Sequence, residues 1–98
     1  MNLRQLKAFR AVCRTGSITR ASELIHLSQP ALTRQIQDLE SFCGCKLFER
    51  TRHGIVLTDE GELFQVRAEE MLSLAERTAA RTQRSRRLHR RHRPDRLR

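Results

Sequence analysis

The sequence is poor in aromatic residues and in long apolar runs. Its 98 residues include no Trp, no Tyr and four Phe. So few aromatic rings argue against the stacking platform with which proteins bind single-stranded bases. No segment approaches the roughly 20 apolar residues that span a bilayer, and the first residues lack the apolar stretch of a signal peptide. The length is that of one small domain, which argues against a two-domain enzyme.

Cysteine is also scarce, with Cys13, Cys43 and Cys45 as the three examples. An odd number without framework spacing predicts reduced cytosolic thiols, two of them in or near the core. Cys43 and Cys45 would need His26 and His53 as partners to complete a zinc site of about four ligands. The sequence favours neither this metal site nor a redox sensor, and it predicts no cofactor.

Positive charge is abundant but unevenly distributed. The formal net charge of +9 suggests a polyanionic partner, with nucleic acid favoured over an anionic membrane surface. Residues 1–58 carry net +5, residues 59–80 carry net −4, and residues 81–98 carry net +8 from nine Arg and one Asp. The last segment therefore dominates the total.

Apolar residues at steps of three and four predict three helices in the first half of the chain. The first spans residues 3–14, the second begins after the N-cap Ser17, and the third begins after the N-cap Ser28 and ends at Gly44. The second helix is expected to end near residues 26–27. The predicted apolar faces are Leu3, Leu6, Phe9, Val12 and Cys13; Ile18, Ala21, Leu24 and Ile25; and Leu32, Ile36, Leu39 and Cys43.

The second and third of these helices form a candidate helix-turn-helix, with helices at 18–25 and Gln29–Phe42. The exposed start of the later helix presents Gln29, Thr33 and Arg34, whose side chains suit the edges of bases. A recognition helix reads bases with its N-terminal residues, which is where these three lie. A solvated helix face would explain each residue alone, but the three together favour DNA reading.

A short hairpin is predicted after the third helix, with strands at 46–50 and 55–57 around a polar turn. Such a hairpin is the wing of a winged helix-turn-helix. Arg50, Arg52 and His53 at its tip are candidates for contacts with phosphates or the minor groove, and ordinary loop polarity is the alternative.

A long fourth helix is expected after its cap at Thr58, with acidic residues in the first turn as the helix dipole prefers. Apolar and small residues then recur at coiled-coil steps. The rest of the chain is expected to leave part of this stripe uncovered, which predicts a partner helix; packing back onto the first three helices is the alternative. The predicted dimerisation residues are Phe64, Ala68, Met71, Leu72, Ala75 and Ala79.

The predicted organisation has three parts: a DNA-binding domain at 1–58, a linker helix at 59–84 and a basic, disordered tail at 85–98. Disorder is expected in the tail because like charges lie side by side with nothing apolar to bury. Residues 81–91 are expected to continue the helix when a polyanion screens their charges.

Several segments resemble one family in order and at its spacing, over about residues 1–80. The run 16–36 is similar to the helix-turn-helix of LysR-type transcriptional regulators. Leu39-Glu40, Gly44 and residues 46–50 extend the likeness, and residues 57–61 resemble the family's entry to its linker helix.

The resemblance implies a bacterial, cytoplasmic and nucleoid-associated transcription factor of the mainly α, winged helix-turn-helix class. It implies a homodimer, joined by the linker helix, that reads an interrupted palindrome of double-stranded DNA in successive major grooves. The DNA contacts it implies are Ser17, Thr19, Ser28, Gln29, Pro30, Thr33, Arg34, Gln37, Arg50, Arg52 and His53. The sequence does not distinguish a dimer from a tetramer. It also does not identify the operator or distinguish activation from repression.

The sequence departs from the family pattern at three places. Ser22 stands where a small apolar residue is usual, and Cys43 replaces a core Leu, a loss expected to cost about 1 kcal/mol or more if a void remains. Family members continue into an effector-binding domain, whereas residues 81–98 do not resemble its opening strand, so no small-molecule effector site is expected in this chain. A truncation, a shifted reading frame and a deliberately shortened chain would all produce this end.

Two other functions stay open at this point. One is a truncated interaction protein that forms heterodimers with full-length relatives. The other is a non-specific nucleic-acid binder that acts through its Arg-rich tail. Catalysis is not expected, because the sequence has no Gly-rich phosphate loop, paired-carboxylate pocket or set of metal ligands.

Overall fold

The computed structural model describes residues 1–92, which form four helices and one hairpin. The elements in chain order are α1 (Leu3–Thr15), α2 (Ile18–Leu24), α3 (Gln29–Cys43), β1 (Phe48–Thr51), β2 (Gly54–Leu57) and α4 (Asp59–His92). The hairpin strands pair antiparallel. This is a mainly α, winged helix-turn-helix fold followed by a long helix, and it confirms the predicted fold class.

Local hydrogen bonds set the helix ends. Asn2 and Gln5 form a reciprocal capping box at the start of α1, with N–O distances of 2.8 and 3.1 Å. Ser17 and Ser28 cap α2 and α3, each accepting a backbone amide on its hydroxyl oxygen. Helix α3 ends at Gly44, whose φ of 73° lies in the left-handed region that favours glycine.

The turn between α2 and α3 differs from its prediction. Helix α2 ends at Leu24, two residues earlier than expected. His26 has a φ of 59°, which is incompatible with a right-handed helix and turns the chain toward α3. The amide of Leu27 donates to the carbonyl oxygen of Ser22 at 2.9 Å and closes the turn.

The core is centred on Phe9 of α1. Its ring lies 5.1 Å from that of Phe48 at the start of the wing, and 5.1 Å from that of Phe64 on α4 in a T-shaped arrangement. Edge-to-face contacts of this kind add to the apolar burial. The largest fully buried side chains are Phe9, Val12, Leu32, Leu39, Leu47 and Leu72, so α1, α3, the wing and α4 share one core.

Six residues of the predicted apolar faces are less buried than expected, among them Cys13, Ile18 and Ile25, which are half-buried. Leu3 and Leu24 are 47% and 55% exposed, because each is a terminal residue of its helix and the core does not extend that far. Cys43, the last residue of α3, is half-buried rather than buried.

Part of the predicted dimerisation face packs inside the chain, which corrects the expectation that a partner helix covers it. Ala68 and Leu72 are buried, and Phe64 and Met71 pack against the core half-buried. This part of the stripe therefore packs back onto the rest of the chain, which was the alternative hypothesis. It can do so because α1 and the wing together reach far enough along α4 to cover it. Ala79 lies farther along and is exposed.

Helix α4 is longer than predicted. It contains 34 residues, about 50 Å of helix at 1.5 Å per residue, and continues to His92. The prediction of disorder is wrong for residues 85–92; this segment has no Pro or Gly, and Arg favours helix. The rest of the predicted tail, 93–98, lies outside the described residues. Across residues 1–92, no helix is long and apolar enough to cross a membrane.

Candidate nucleic-acid interface

The structure brings α2 and the start of α3 into direct side-chain contact. The amide nitrogen Nε2 of Gln29 donates to the hydroxyl oxygen of Thr19 at 3.2 Å. Both side chains are exposed, so the bond orients them without removing them from solvent. Two of the predicted DNA-contact residues, ten positions apart in sequence, therefore form one polar surface.

The predicted recognition residues share the solvent side of α3. Pro30, Arg34 and Gln37 are exposed and Thr33 is half-buried. The opposite side of the helix carries the buried Leu32, Ile36 and Leu39. The core therefore holds one face of α3 while the other face projects outward, as a helix in a major groove requires.

Ser17 and Ser28 both serve as N-caps, a role that sequence reasoning also assigned to them. Each hydroxyl oxygen accepts a backbone amide at 3.2 Å, from Arg20 and Ala31 respectively. Each hydroxyl retains its proton for donation, and free amides lie beside it in the first helical turn. Such helix starts suit a phosphate oxygen.

The wing places its basic residues less uniformly than predicted. Arg50 lies within β1, opposite Ile55, rather than at the tip, and only Arg52 and His53 occupy the turn. All three are exposed. The strand begins at Phe48, two residues later than expected, and includes Thr51, whose hydroxyl donates to the carbonyl oxygen of Gly54.

The tip of the wing lies beside the start of α2. A Cβ atom on Gly54 would stand 3.2 Å from the carbonyl oxygen of Gly16, which directly precedes Ser17. Close backbone approach of this kind favours glycine. The wing tip, the start of α2 and the start of α3 are thus linked through Gly54–Gly16 and Thr19–Gln29, and they carry most of the predicted DNA contacts.

Glu40 holds the wing against α3, a role that the sequence alone did not reveal. Its Oε2 atom accepts backbone amides of Leu47 at 2.8 Å and Phe48 at 3.2 Å. Lys46 adds a longer ion pair of 3.8 Å to Oε1. Glu40 formed part of the family resemblance, but its hydrogen-bond partners lie seven and eight residues away and depend on the tertiary fold.

The wing is also joined to α4. The hydroxyl of Thr58 donates to the carbonyl oxygen of Lys46 at 2.7 Å and accepts the amide of Gly61 at 2.9 Å. Gly61 itself lies so close to the carbonyl of Leu47 that a side chain there would collide with it. Farther along, Arg10 of α1 bonds Glu76 of α4 at 3.2 Å. Contacts near Thr58 and Gly61 at the start of α4, and the Arg10–Glu76 pair farther along, therefore set the direction of α4 relative to the DNA-reading surface.

The cysteines lie near α4, with Cys13 close to Glu69 and with Cys43 and Cys45 beside Phe64. All three are free and half-buried. Burial, and then the nearby negative charge of Glu69, raises the pKa of Cys13 from 9.0 to about 12. Burial, followed by the neighbouring Cys45, raises the pKa of Cys43. Within residues 1–92, no three His, Cys, Asp or Glu side chains are grouped as metal ligands, so the structure does not assemble the zinc site considered from the sequence.

Comparison with known families identifies this arrangement. The family described as bacterial regulatory helix-turn-helix protein, lysR family, matches residues 3–62, which include α1, α2, α3 and the wing. The chain belongs to the LysR family. The curated relatives of this LysR-family chain are transcriptional regulators and not enzymes, which confirms both the resemblance and the expectation that it is not an enzyme.

Two curated relatives illustrate the extent of the likeness. The HTH-type transcriptional regulator TfdT of Cupriavidus pinatubonensis (strain JMP 134 / LMG 1197) is 48% identical over 83 residues, covering 85% of this chain and 36% of TfdT. The HTH-type transcriptional regulator TcbR of Pseudomonas sp. (strain P51) is 44% identical over 82 residues, covering 84% of this chain and 28% of TcbR. The LysR-family chain therefore spans well under half the length of either regulator.

Two solved structures share its fold. The DNA-binding domain of CbnR in complex with DNA has a TM-score of 0.80 and 42% identity, covering 87% of this chain and 98% of that domain. The BenM DNA-binding domain bound to catB site 1 DNA has a TM-score of 0.81 and 38% identity, covering 86% and 94%. Both similar domains were solved with DNA.

Proposed function

We propose that this LysR-family chain binds double-stranded DNA with sequence preference and regulates transcription. The observation that carries the proposal is the solvent side of α3, where Gln29, Thr33 and Arg34 project from a helix whose other side is held by the core. The DNA complexes of the similar CbnR and BenM domains support it. Such a function places the chain in the cytoplasm, at the nucleoid.

Each part of the surface has its own role in this proposal. The N-terminal half of α3 enters the major groove, where Gln29 pairs with adenine, Arg34 pairs with guanine and Thr33 contacts a neighbouring base. Ser17, Thr19 and Ser28 position the helix on phosphates. The basic wing residues Arg50, Arg52 and His53 contact the backbone or the minor groove beside it, and Pro30 and Gln37 border the base-reading surface. Residues 1–58 form the reading domain and α4 the linker.

The test begins with selection of the full chain against random duplex DNA. Enrichment of an interrupted palindrome is expected if two copies read the site together. Affinity is then measured on the enriched duplex and on a scrambled one of the same length. No enrichment at all would contradict sequence-specific reading.

Arg34→Ala tests the assignment of α3. Loss of one good base contact is worth about 1–3 kcal/mol of discrimination, so the ratio of enriched to scrambled affinity should fall by about 5- to 150-fold. Arg4→Ala is the matched control, since Arg4 is also an exposed arginine and lies on α1. If both variants lose affinity equally on both duplexes, Arg34 contributes only charge and the base-reading role is wrong.

We further propose that two copies pair through α4, on a different side from the one the sequence suggested. Ala68 and Leu72 are occupied by the chain's own core, whereas Leu63, Val66 and Leu74 are 74%, 58% and 59% exposed along the same helix. Exposed apolar side chains in such a row favour association. Sedimentation of Val66→Glu and Leu74→Glu variants should report monomers. Ala80→Glu, at an exposed position that carries no large apolar side chain, should not change the oligomeric state.

A second candidate is pairing with full-length relatives. It is favoured by the long α4 helix, on which Leu63, Val66 and Leu74 are exposed. Mixing the chain with a full-length regulator and measuring operator occupancy separates the two functions. A drop in occupancy supports interference, and an unchanged occupancy supports independent DNA binding.

A further inference from the structure

Charge is divided sharply along α4. Its first 18 residues, 59–76, contain six acidic side chains and one Arg. From residue 77 to residue 92 the helix contains seven Arg and no acidic residue. The transition falls at the Glu76–Arg77 step, beside the Arg10–Glu76 ion pair that joins α1 to α4, and all residues from 77 to 89 are exposed. The basic half therefore extends beyond the body of the domain.

The basic half presents an ordered pattern of donors. Arginine and hydroxyl side chains occur as adjacent pairs at every fourth position, about one turn and 6 Å apart along the axis. These pairs are Arg77-Thr78, Arg81-Thr82 and Ser85-Arg86; together they line one shallow groove on α4, and all six residues are exposed. We name this set the arginine–hydroxyl face.

None of the arginines on this face has an anionic partner among the described residues. The ion pairs of residues 1–92 involve Arg10, Lys46 and Arg67 instead. Like charges four residues apart on a helix, as at Arg77 and Arg81, repel each other. A bound polyanion would remove this repulsion and so favour the helical form of the segment.

We propose that the arginine–hydroxyl face is a second DNA-binding site, which binds phosphates of the duplex without regard to base sequence. Arg, Ser and Thr are among the side-chain donors that proteins use on the phosphate backbone. The face lies on α4, outside the helix-turn-helix that presents side chains to base edges, so we expect it to supply affinity and salt dependence rather than discrimination. This site lies on α4 rather than on α3, and the proposal does not depend on the proposed recognition of bases by α3.

Two other partners fit the face less well. A helix that lies on an anionic membrane pairs its cations with a broad apolar side, whereas residues 77–89 contain only one large apolar side chain, Leu88. The acidic half of a second α4 is partly committed already, because Glu76 pairs with Arg10 and Glu70 with Arg67. Duplex DNA offers an unbroken row of anions that neither alternative provides.

The test uses the full chain, a scrambled duplex and a series of salt concentrations. Arg81→Gln/Arg86→Gln removes two charges from the face, and Arg84→Gln/Arg87→Gln removes two exposed charges from the same turns outside it. Gln keeps helix propensity close to that of Arg, and circular dichroism verifies the helix in each variant. Because the first variant can no longer neutralise two phosphates, its slope of log affinity against log salt should fall by about 1.8, and that of the second variant by less than about 0.5.

Several outcomes would overturn the proposal. An equal fall in both variants would mean that only diffuse charge matters. An unchanged slope in both would mean that the segment does not touch DNA. The chain could instead bind anionic phospholipid vesicles. If the Arg81→Gln/Arg86→Gln variant lost that binding while its slope of log affinity for the duplex against log salt stayed unchanged, the face would be assigned to a membrane. The ratio of enriched to scrambled affinity reports α3 separately, so failure of base reading is distinguishable from failure of this site.

Discussion

Glu40 accepts the backbone amide of Leu47 at 2.8 Å and thereby ties the end of α3 to the wing. The carboxylate is 11% exposed and also accepts the amide of Phe48. A charged acceptor with two amide donors is stronger than a neutral contact. One side chain thus couples the two elements that are proposed to approach DNA from different grooves.

Removal of this carboxylate should destabilise the domain. Hydrogen bonds to charged groups are worth about 1.5–3 kcal/mol, so Glu40→Ala should lower the free energy of unfolding by about 2–3 kcal/mol. Glu40→Gln keeps an acceptor oxygen and should lose less. Asp38→Ala, at an exposed position on the same helix, is the control. If urea unfolding gave the same free energy of unfolding for Glu40→Ala and Asp38→Ala, the role assigned to Glu40 would be contradicted.

Gly61→Ala should reverse the usual effect of replacing a helical glycine. In an open helix this change stabilises by about 1 kcal/mol. Here the new methyl would collide with the carbonyl of Leu47 and approach the Leu57 side chain, so we expect a loss of about 1–3 kcal/mol. Ser73→Ala, at an exposed position on α4, should be neutral or slightly stabilising. A higher unfolding midpoint for Gly61→Ala would show that α4 does not approach the wing this closely.

His26→Gly should stabilise the helix-turn-helix. His26 has a φ of 59°, a conformation that costs a residue with a side chain about 1–2 kcal/mol. Gly avoids that cost but loses more backbone entropy on folding, so we expect a net gain of about 0.5–1 kcal/mol. Glu23→Gly, within α2, should instead destabilise by about 1 kcal/mol. The two glycine variants should therefore shift the midpoint of thermal unfolding in opposite directions. A shift in the same direction would contradict the strain assigned to His26.

Stability at alkaline pH should depend on Cys13. Its folded pKa is raised from 9.0 to about 12, so the folded state retains the thiol proton more tightly than the unfolded chain. The corresponding stability is fully present below pH 9 and is lost as pH rises toward 12. Cys13→Ala should lower overall stability through poorer packing, but its free energy of unfolding should fall less steeply across this pH range than that of the parent chain. Parallel pH profiles for the two proteins would contradict the raised pKa.

Most of the fold could be predicted from local patterns. Serine caps and the glycine at the end of α3 act within one turn of the backbone, so their positions in the sequence mark the helix ends directly. The apolar stripe of α3 likewise predicted which side of the helix faces outward, and hence where Gln29 and Arg34 lie. The end of α2 at Leu24, two residues before the predicted end, could not be predicted, because the surrounding turn imposes the left-handed backbone of His26.

The coverage of α4 was decided by tertiary structure alone. Two rows of apolar residues follow helical spacing there, one through Ala68 and Leu72 and one through Leu63 and Leu74. Periodicity cannot choose between them, because both satisfy the same steps. Packing of α4 against the core that contains Phe9 buries the first row and leaves the second exposed.

The sequence by itself determined the helix-turn-helix, the wing and the residues that α3 turns outward, because caps and periodicity are local properties. Tertiary structure alone decided how these parts are held together. The Glu40 carboxylate, the Gly61 backbone and the Arg10–Glu76 pair join residues that are separated by between 7 and 66 positions. Such contacts form only after the core has brought their elements together, and no local pattern in the chain encodes them.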